Sequence, residues 1–386
     1  MPQLTLFKPL TLRGLTLKNR IVVSPMCQYV AVEGVAQDWH LAHLARFAIG
    51  GAAVVFVEAT AVELRGRITH GDLGLWNDEQ QTALARIAGM IKALGAVPAI
   101  QLAHAGRKAS SHRPFEGGGP ILPGNAKPGE PAWPTLAPSA VPFAPDWPPP
   151  EAAGLDDIVQ IKAAFAASAR RAVAAGFEIV EVHCAHGYLM TEFLSPISNR
   201  RDDAYGGGLG GRMRLPLEVV DAVREVWPHD RPVFARISAV DGTEGGWDLE
   251  DSVMFARQLK ARGVDVVDCS AGGLTPSVAT LPAPAPGYQI DYAAAVRNKA
   301  EVATMAVGLI VEMGQAEFAL ASGQADLIAM GRQMLDDPNW PLRALAEADP
   351  DQIGGPQWPA PVGYAVKALN KIKTRFGLLG KETSSF

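Results

Sequence analysis

The stretch Phe177-Glu178-Ile179-Val180-Glu181-Val182-His183-Cys184-Ala185-His186 decides the fold of this chain. Apolar residues dominate it from Phe177 to Cys184, which is typical of a strand buried on both faces of a parallel sheet. Amphipathic helical patterns flank it, at Asp156–Ala175 before and Gly211–Val226 after. A strand between two helices is the repeating unit of an α/β protein with a parallel sheet.

Seven other segments have a similar strand-like composition. They are Arg20–Met26, Ala52–Thr60, Val97–His104, Pro232–Ser238, Val264–Ser270, Ala303–Ile310 and Ala325–Arg332. Further helical patterns lie between them at Asp38–Ile49, Asp78–Leu94 and Leu249–Arg262. Several helical patterns begin near Asp or Asn and end near Gly, as capped helices do. Eight strand candidates with a helix after most of them predict an α/β fold, a (β/α)8 TIM barrel, as a single domain over residues 1–386.

An open, doubly wound sheet is the rival architecture. Such sheets usually carry a Gly-x-Gly-x-x-Gly turn after the first strand. Here the first strand candidate runs into Ser24-Pro25-Met26-Cys27, which contains no glycine. The sequence therefore favours the barrel.

Two segments do not follow the strand–helix alternation. Pro114–Pro150 holds 12 of the 30 prolines and predicts an irregular insertion after the third strand. It starts where a barrel carries its active site, so it is either a lid or an inert surface loop. The tail from Pro350 onward is a second extension, at the C-terminal end.

Composition excludes several classes of partner. The formal net charge is −5 and no lysine-arginine run is present, so we expect no nucleic-acid binding. No apolar stretch approaches the ~20 residues of a membrane span. The three cysteines, Cys27, Cys184 and Cys269, form no C-x-x-C pair, which argues against disulfides or an iron–sulfur cluster. With no signal-peptide pattern, we expect a cytoplasmic protein.

Polar residues at the ends of the strand candidates suggest a ligand. In a barrel, catalytic groups lie at the C-terminal ends of the strands, and a phosphate often lies after strands seven and eight. Gly308 and Gly331-Arg332 occupy those positions. Gln101 could bind the edge of an amide-like ring, and Arg236 could place positive charge beside a ring that becomes anionic. A phosphate with a polar heteroaromatic ring describes FMN.

Each of these residues also has a simpler explanation. A Gly-Arg pair after a strand is commonly a turn, and Gln101 or Arg236 alone could be structural. His183 and His186 could be zinc ligands beside Cys184. However, Cys184 should face away from His183 on a strand, and no partner set of zinc ligands is seen. We therefore predict no metal. Cys27 could be a nucleophile, but the sequence offers it no assigned base.

The motifs together resemble the old yellow enzyme family, in the branch often called thermophilic-like ene-reductases, related to NADH:flavin oxidoreductases and xenobiotic reductases. The resemblance covers nearly the whole chain, and the motifs occur in order. They are Leu6-Phe7-Lys8-Pro9-Leu10, Leu17-Lys18-Asn19-Arg20-Ile21, Ser24–Tyr29, Gln101–Lys108, His183–Tyr188, Phe193-Leu194-Ser195-Pro196, Asn199–Gly207 and Gly331-Arg332. Cys27 and His186 stand where the classical branch has threonine and asparagine.

The resemblance implies FMN across the top of the barrel, with NADPH or NADH as reductant. The residues it implies for flavin contact are Ser24, Pro25, Met26, Cys27 and Ala59, with Gln101 and Arg236 at the ring edge and Gly308, Gly331 and Arg332 at the phosphate. For substrate and catalysis it implies His183 and His186 as donors to a carbonyl oxygen, Tyr188 as proton donor, Cys27 as a tuner of the flavin potential, and Tyr29 and Lys108 as pocket residues.

The resemblance also implies a homodimer or homotetramer in which a C-terminal residue reaches a neighbouring subunit's pocket. Trp358 is the candidate here, while Val307 replaces a second tryptophan of some relatives. The implied activity is FMN-dependent reduction of the C=C bond of α,β-unsaturated carbonyls. The alternatives are a dienoyl-CoA reductase-like flavoprotein, a non-redox phosphate-binding barrel enzyme, and a flavin-binding protein without catalysis.

Overall fold

The computed structural model describes residues 4–276 and 279–376 of the 386-residue chain. Eight parallel strands form its centre. They are Ile21–Val23 (β1), Val54–Ala61 (β2), Val97–Ala103 (β3), Ile179–Cys184 (β4), Val233–Ser238 (β5), Val266–Ser270 (β6), Ala303–Ala306 (β7) and Leu327–Met330 (β8). Each strand pairs with the next, and β8 pairs with β1, so the sheet closes into a barrel. The predicted TIM barrel is confirmed.

Helices surround the barrel and follow its strands. They are Asp38–Ile49 (α1), Asp78–Ala93 (α2), Leu155–Ala174 (α3), Leu189–Leu194 (α4), Leu209–Val226 (α5), Leu249–Ala261 (α6), Ile290–Ala300 (α7), Met313–Ala321 (α8), Arg332–Asp336 (α9), Trp340–Ala348 (α10) and Ala360–Arg375 (α11). The shorter strands are a hairpin of Leu10–Leu12 with Leu15–Leu17, the pair Leu136–Ala137 with Glu151–Ala152, and Leu73–Gly74 beside β2.

The bounds of the five helices predicted from the sequence, α1, α2, α3, α5 and α6, agree with the structure to within two residues. Asn77 caps α2 by accepting a hydrogen bond from the Gln80 N–H at 2.9 Å, as its position before the apolar pattern predicts. Five of the eight strands, β1, β3, β4, β7 and β8, end earlier than predicted. For example, β7 ends at Ala306 rather than Ile310, because Gly308 adopts a left-handed φ of 119° that leaves the extended conformation.

Side chains inside the barrel form two layers of different character. The lower layer is apolar and includes Phe56, Phe234, Val266 and Met305, with Leu17 of the hairpin packed against it. Alternation along a strand places residues two positions apart on the same face. On β4, Ile179 belongs to this interior layer, whereas Val180, Val182 and Cys184 face the helices. Glu181 and His183 therefore point into the barrel, above the apolar layer.

The predicted insertion lies after β3. It contains a 3₁₀ turn at Pro114–Glu116, and Arg113 pairs with Glu130 at 2.6 Å within it. The Arg107 guanidinium, at the top of the barrel, donates to the carbonyls of Val141 and Pro142 at 3.1 and 3.2 Å. These bonds fix the insertion across the C-terminal face of the barrel. The predicted C-terminal extension comprises a 3₁₀ turn at Pro350–Gln352 and helix α11, and its residues 377–386 lie outside the described residues.

No helix in the described ranges is long and apolar enough to cross a bilayer.

Replacing Phe234 by alanine tests the apolar layer. Phe234 is fully buried, and its ring centroid lies 6.1 Å from that of Phe56. We expect Phe234→Ala to lower the free energy of unfolding by about 3–5 kcal/mol, because the cavity cannot collapse inside a closed barrel. Phe318→Ala, at an exposed position of α8, should stay within about 0.5 kcal/mol of wild type. Equal losses in urea unfolding of the two variants would contradict this account of the core.

Candidate active site

A cavity of about 660 Å³ opens at the C-terminal ends of the barrel strands. This is a typical size for a cofactor or small-molecule site. Eight residues assigned from the sequence line it: Ser24, Pro25, Met26, His186, Arg236, Gly308, Gly331 and Arg332. Because these residues come from five different strand ends, only barrel closure brings them together.

The cavity residues fit a phosphate-bearing flavin. Ser24 is 4% exposed, and its Oγ is buried without a hydrogen-bond partner. A buried hydroxyl of this kind is usually satisfied, so the geometry favours a polar ligand there. A Cβ added at Gly308 would lie 3.0 Å from Gln289 Oε1, so this position has little room for a side chain. Because it is glycine, no side chain covers the backbone after β7. Arg332 is exposed at the cavity edge, where its charge can meet a phosphate.

Gln101 and Arg236 extend the site into the barrel. Gln101 is next to Ala59 in the β2–β3 register and donates from Nε2 to Glu181 Oε1 at 2.8 Å. Arg236 donates from Nε and Nη2 to Ser270 Oγ at 3.1 and 2.8 Å. Its Nε is also 3.0 Å from Asp268 Oδ2, although the N–H is aimed at Ser270. Both predicted ring-edge residues are therefore held by neighbours that the sequence did not single out.

His183, His186 and Tyr188 form a compact aromatic cluster. The His183 ring centroid lies 5.2 Å from that of His186 and 5.3 Å from that of Tyr188. His183 Nδ1 lies 3.4 Å from the Ala185 N–H, an interaction that assigns the proton of the neutral ring to Nε2. Burial, followed by the charges of Arg236 and Lys108, lowers the His183 pKa well below its ordinary value. The His186 pKa is lowered in the same way. Two neutral histidines can each donate one N–H.

Lys108 connects two loops beside this cluster. Its Nζ donates to the carbonyls of His186 at 2.8 Å and Gly273 at 3.1 Å, and lies 4.8 Å from the Tyr188 ring centroid. A Cβ on Gly187, which has φ +70°, would lie 2.0 Å from the Gly273 carbonyl oxygen, so only glycine permits this approach. Burial lowers the Lys108 pKa to about 8.

Cys27 and Tyr29 lie on the loop after β1, next to this cluster. Burial, followed by the charges of Glu58 and Asp72, raises the Cys27 pKa well above its ordinary value. A thiol that resists ionisation is a poor nucleophile. The geometry therefore argues against the nucleophilic interpretation of Cys27.

The structure does not bring Trp358 into the site of its own chain. Its neighbour Gln357 lines a different cavity with Lys18, Asn19 and Gly51, which precede β1 and β2. Trp358 therefore lies at the N-terminal end of the barrel, opposite the site. Its indole Nε1 is buried without a hydrogen-bond partner. Val307 does line the active-site cavity.

Several cavity residues were missed from the sequence. Ser270 ends a strand that was correctly identified, and the strand-end rule could have found it. Tyr288 and Gln289 precede α7 and line the cavity from the β6–α7 loop. No local pattern marks them, since that loop reaches the site only through the fold.

Cys184 faces the helices, as alternation predicted, so it is not beside His183 in the barrel. Within residues 4–276 and 279–376, no three His, Cys, Asp or Glu side chains are grouped so as to hold a metal ion.

A TIM barrel whose C-terminal face carries a cavity of cofactor size, with His183 and His186 beside Arg236 and Lys108, fits a flavin-dependent oxidoreductase. The chain belongs to the NADH:flavin oxidoreductase / NADH oxidase family, which matches it over residues 5–350 and includes the old yellow enzymes. It is an FMN-dependent NAD(P)H oxidoreductase.

Known proteins agree with this assignment. The NADPH dehydrogenase of Geobacillus sp. (strain WCH70) is 44% identical over 344 residues, which are 89% of this chain and 94% of that protein. The structure of morphinone reductase superposes with a TM-score of 0.73 at 27% identity, covering 90% of this chain and 92% of the other. A 2-naphthoyl-CoA reductase complex superposes with a TM-score of 0.79 at 24% identity, covering 90% of this chain but 52% of that one, and shows the shared fold alone.

The buried histidines make stability depend on pH. Because their folded pKa values lie below the unfolded value of about 6.5, the unfolded chain binds more protons in acid. Stability is full above about pH 6.5 and falls as the pH drops. Between pH 7 and pH 5, we expect the free energy of unfolding to fall by about 2 kcal/mol or more further in wild type than in His183→Asn/His186→Asn. The measurement is urea unfolding with saturating FMN.

The matched control is His229→Asn, at an exposed position. It should lose as much stability on acidification as wild type. An acid-induced loss in the double variant equal to that of wild type would show that the pair is not held neutral. His40 and His43, whose pKa values burial lowers to about 4, remain in every variant.

Proposed function

We propose that this enzyme is an ene-reductase, which reduces the C=C bond of α,β-unsaturated carbonyls and related activated alkenes. The observation that carries the proposal is the His183–His186 pair, with His183 buried, His186 lining the cavity and both pKa values lowered, beside a cavity that fits a flavin. The pair is suited to binding one oxygen atom through two N–H groups.

Residues of the cavity would hold the cofactor. Ser24, Pro25, Met26, Cys27 and Ala59 would contact the flavin, Gln101 and Arg236 would bind its ring edge, and Gly308, Gly331 and Arg332 would bind its phosphate. FMN, once reduced by NADPH or NADH, supplies a hydride from N5. Everything else in the reaction is binding, orientation and proton transfer by the protein.

The two histidines would act on the substrate oxygen. As hydride reaches the β-carbon, negative charge develops on the carbonyl oxygen of an enone. Donors already aimed at that oxygen stabilise it without reorganising, and one such donor is worth roughly 2.7–4 kcal/mol in a known oxyanion hole. Ser238 Oγ accepts a hydrogen bond from the backbone N–H of His186 at 2.8 Å. This bond helps to hold the His186 backbone in its left-handed conformation, with φ +61°.

Tyr188 would supply the proton to the α-carbon. Its pKa is raised by burial and by Cys27 and Asp72, so the hydroxyl keeps its proton at neutral pH. Lys108, over the Tyr188 ring, would line the substrate pocket together with Tyr29. Cys27 would tune the flavin as a neutral thiol, in keeping with its raised pKa.

We also propose a homodimer or homotetramer in the cytoplasm, in which Trp358 reaches a neighbouring subunit's pocket. The position of Trp358 at the far end of its own barrel supports this arrangement. The partly packed α11, which leaves Val362, Leu369 and Ile372 exposed, is consistent with a further contact between subunits.

The rival functions have less support. A dienoyl-CoA reductase-like activity is suggested only by a fold shared with an enzyme about twice as long. A Schiff-base barrel enzyme would need a lysine aimed into the cavity. Lys108 instead donates to two backbone carbonyls. A flavin-binding protein without catalysis would not need a proton-donating tyrosine beside the histidines.

Binding of a phenol tests the histidine pair. We expect His183→Ala/His186→Ala to retain FMN but to bind 4-hydroxybenzaldehyde at least about 100-fold more weakly, because two donors to a charged oxygen contribute about 1.5–3 kcal/mol each. The measurement is the charge-transfer absorbance of the holoenzyme during titration. His229→Ala is the matched control and should bind like wild type. Unchanged affinity in the double variant would refute the oxygen-binding role.

Anaerobic stopped-flow kinetics test Tyr188. We expect Tyr188→Phe to be reduced by NADPH at the wild-type rate but reoxidised by cyclohexenone about 10²–10⁴-fold more slowly, the usual contribution of a positioned acid. Tyr292→Phe, on α7, is the control and should leave both steps unchanged. If wild-type enzyme reduced by NADPH were not reoxidised by any activated alkene in a panel, the ene-reductase proposal itself would fail.

A further inference from the structure

The barrel holds a polar layer between the apolar layer and the substrate cluster. It consists of Gln101, Glu181, Arg236, Asp268 and Ser270. On their strands these residues lie two or four positions beyond interior apolar residues such as Ala99, Ile179, Phe234 and Val266. None is more than 7% exposed. We call this group the interior polar layer.

Within this layer, the carboxyl group of Glu181 has only one of its two oxygens hydrogen-bonded. It pairs with Gln101 in the β3–β4 register and accepts from Gln101 Nε2 at 2.8 Å, while its second oxygen is buried with no partner. A buried carboxyl oxygen without a partner is costly if the group is charged. A carboxyl group that keeps its proton avoids most of that cost.

We propose that Glu181 is a positioning residue of the flavin site: it fixes the orientation of the Gln101 amide and carries the proton that leaves the charge of Arg236 available to the flavin ring. This inference rests on the ring-edge roles of Gln101 and Arg236 proposed above.

The orientation follows from hydrogen-bonding capacity. Glu181 Oε1 accepts from the NH₂ group of Gln101, so the proton of a neutral Glu181 lies on its other oxygen, Oε2, and Oε1 stays an acceptor. The amide oxygen of Gln101 then points away from Glu181. Without Glu181 the amide can rotate by half a turn, and the ring edge meets a mixture of the two orientations.

The charge argument concerns two carboxyl groups and one guanidinium. Asp268 Oδ2 lies 3.0 Å from Arg236 Nε, although neither Asp268 oxygen has a hydrogen-bond partner and burial raises the Asp268 pKa as well. Because Asp268 lies beside the guanidinium and Glu181 does not, the pair of carboxyl groups is best arranged with Asp268 ionised and the proton on Glu181. Burial and the neighbouring Asp268 raise the Glu181 pKa to about 8, against the opposing effects of Arg236 and Gln101. The Cys184 thiol, on the outer face of β4, is also affected by the charge of Glu181, which raises its pKa. With Glu181 protonated, the ion pair is balanced. With Glu181 ionised, the layer gains a net negative charge beneath the ring.

Titration of FMN into apoprotein tests the orientation. We expect Gln101→Leu and Glu181→Leu each to weaken FMN binding about tenfold, as loss of one well-placed hydrogen bond predicts. Glu181→Gln should stay within about threefold of wild type, since it keeps the size and hydrogen-bonding ability. Glu178→Gln is the control, because it removes a carboxylate just before the same strand, at the far end. Wild-type affinity in Glu181→Leu would overturn the positioning role.

The midpoint potential of bound FMN between pH 6 and pH 10 tests whether Glu181 carries a proton. The experiment needs only the isosteric variant Glu181→Gln. We expect Glu181→Gln and wild type to coincide near pH 6. As the pH rises through about 8, wild type should fall more steeply, by about 30 mV per pH unit, because reduction takes up one more proton per two electrons. Glu178→Gln should follow wild type. Parallel curves for Glu181→Gln and wild type over the whole range would overturn the inference.

The same titrations separate this inference from the proposed function. If Gln101→Leu binds FMN as tightly as wild type, the ring is not at Gln101 and the ring-edge assignment fails. If Gln101→Leu weakens binding while Glu181→Leu does not, only the role of Glu181 fails. Neither result depends on which alkene the enzyme reduces.

Discussion

Closure of the sheet between β8 and β1 is the constraint on which the rest of the molecule depends. Their ladder pairs Ile328 with Ile21 and Met330 with Val23, so the last strand completes the ring that the first one starts. Eight parallel strands then end at one face, and every loop after a strand points to the same space. The site is the product of that geometry, since no two neighbouring segments of the chain could build it alone.

Inside the ring, the physical problem is to place charge in an apolar interior. The chain does so by layers: Phe56 and Phe234 fill the bottom, while Glu181, Arg236 and Asp268 lie above them. Buried charges are tolerated when they are paired and hydrogen-bonded or when they neutralise by proton uptake. The apolar layer thus provides stability, and the polar layer above it is free to serve the cofactor. The cost of burying these groups is typical of a functional site.

The loops at the rim of the barrel are also tightly packed. The β4–α4 and β6–α7 loops approach so closely that no side chain would fit at Gly187 or Gly273. Lys108 connects the two loops by donating to the carbonyls of His186 and Gly273. His186 is held in a left-handed conformation by this packing and by Ser238. His186 is therefore held in place before any substrate arrives, which is what the proposed oxygen-binding role requires for stabilising developing charge.

The sequence by itself determined the barrel, because buried strands and capped helices leave local patterns of period and composition. It also determined the residues at strand ends, from Ser24 to Arg332, since the rule that places them needs only the order of strands. Tertiary structure alone decided which neighbours hold those residues. Contacts between segments distant in the chain place Glu181 beside Gln101, Gln289 beside Gly308 and Trp358 at the opposite end of the barrel. Such contacts depend on register and closure, which no local pattern encodes.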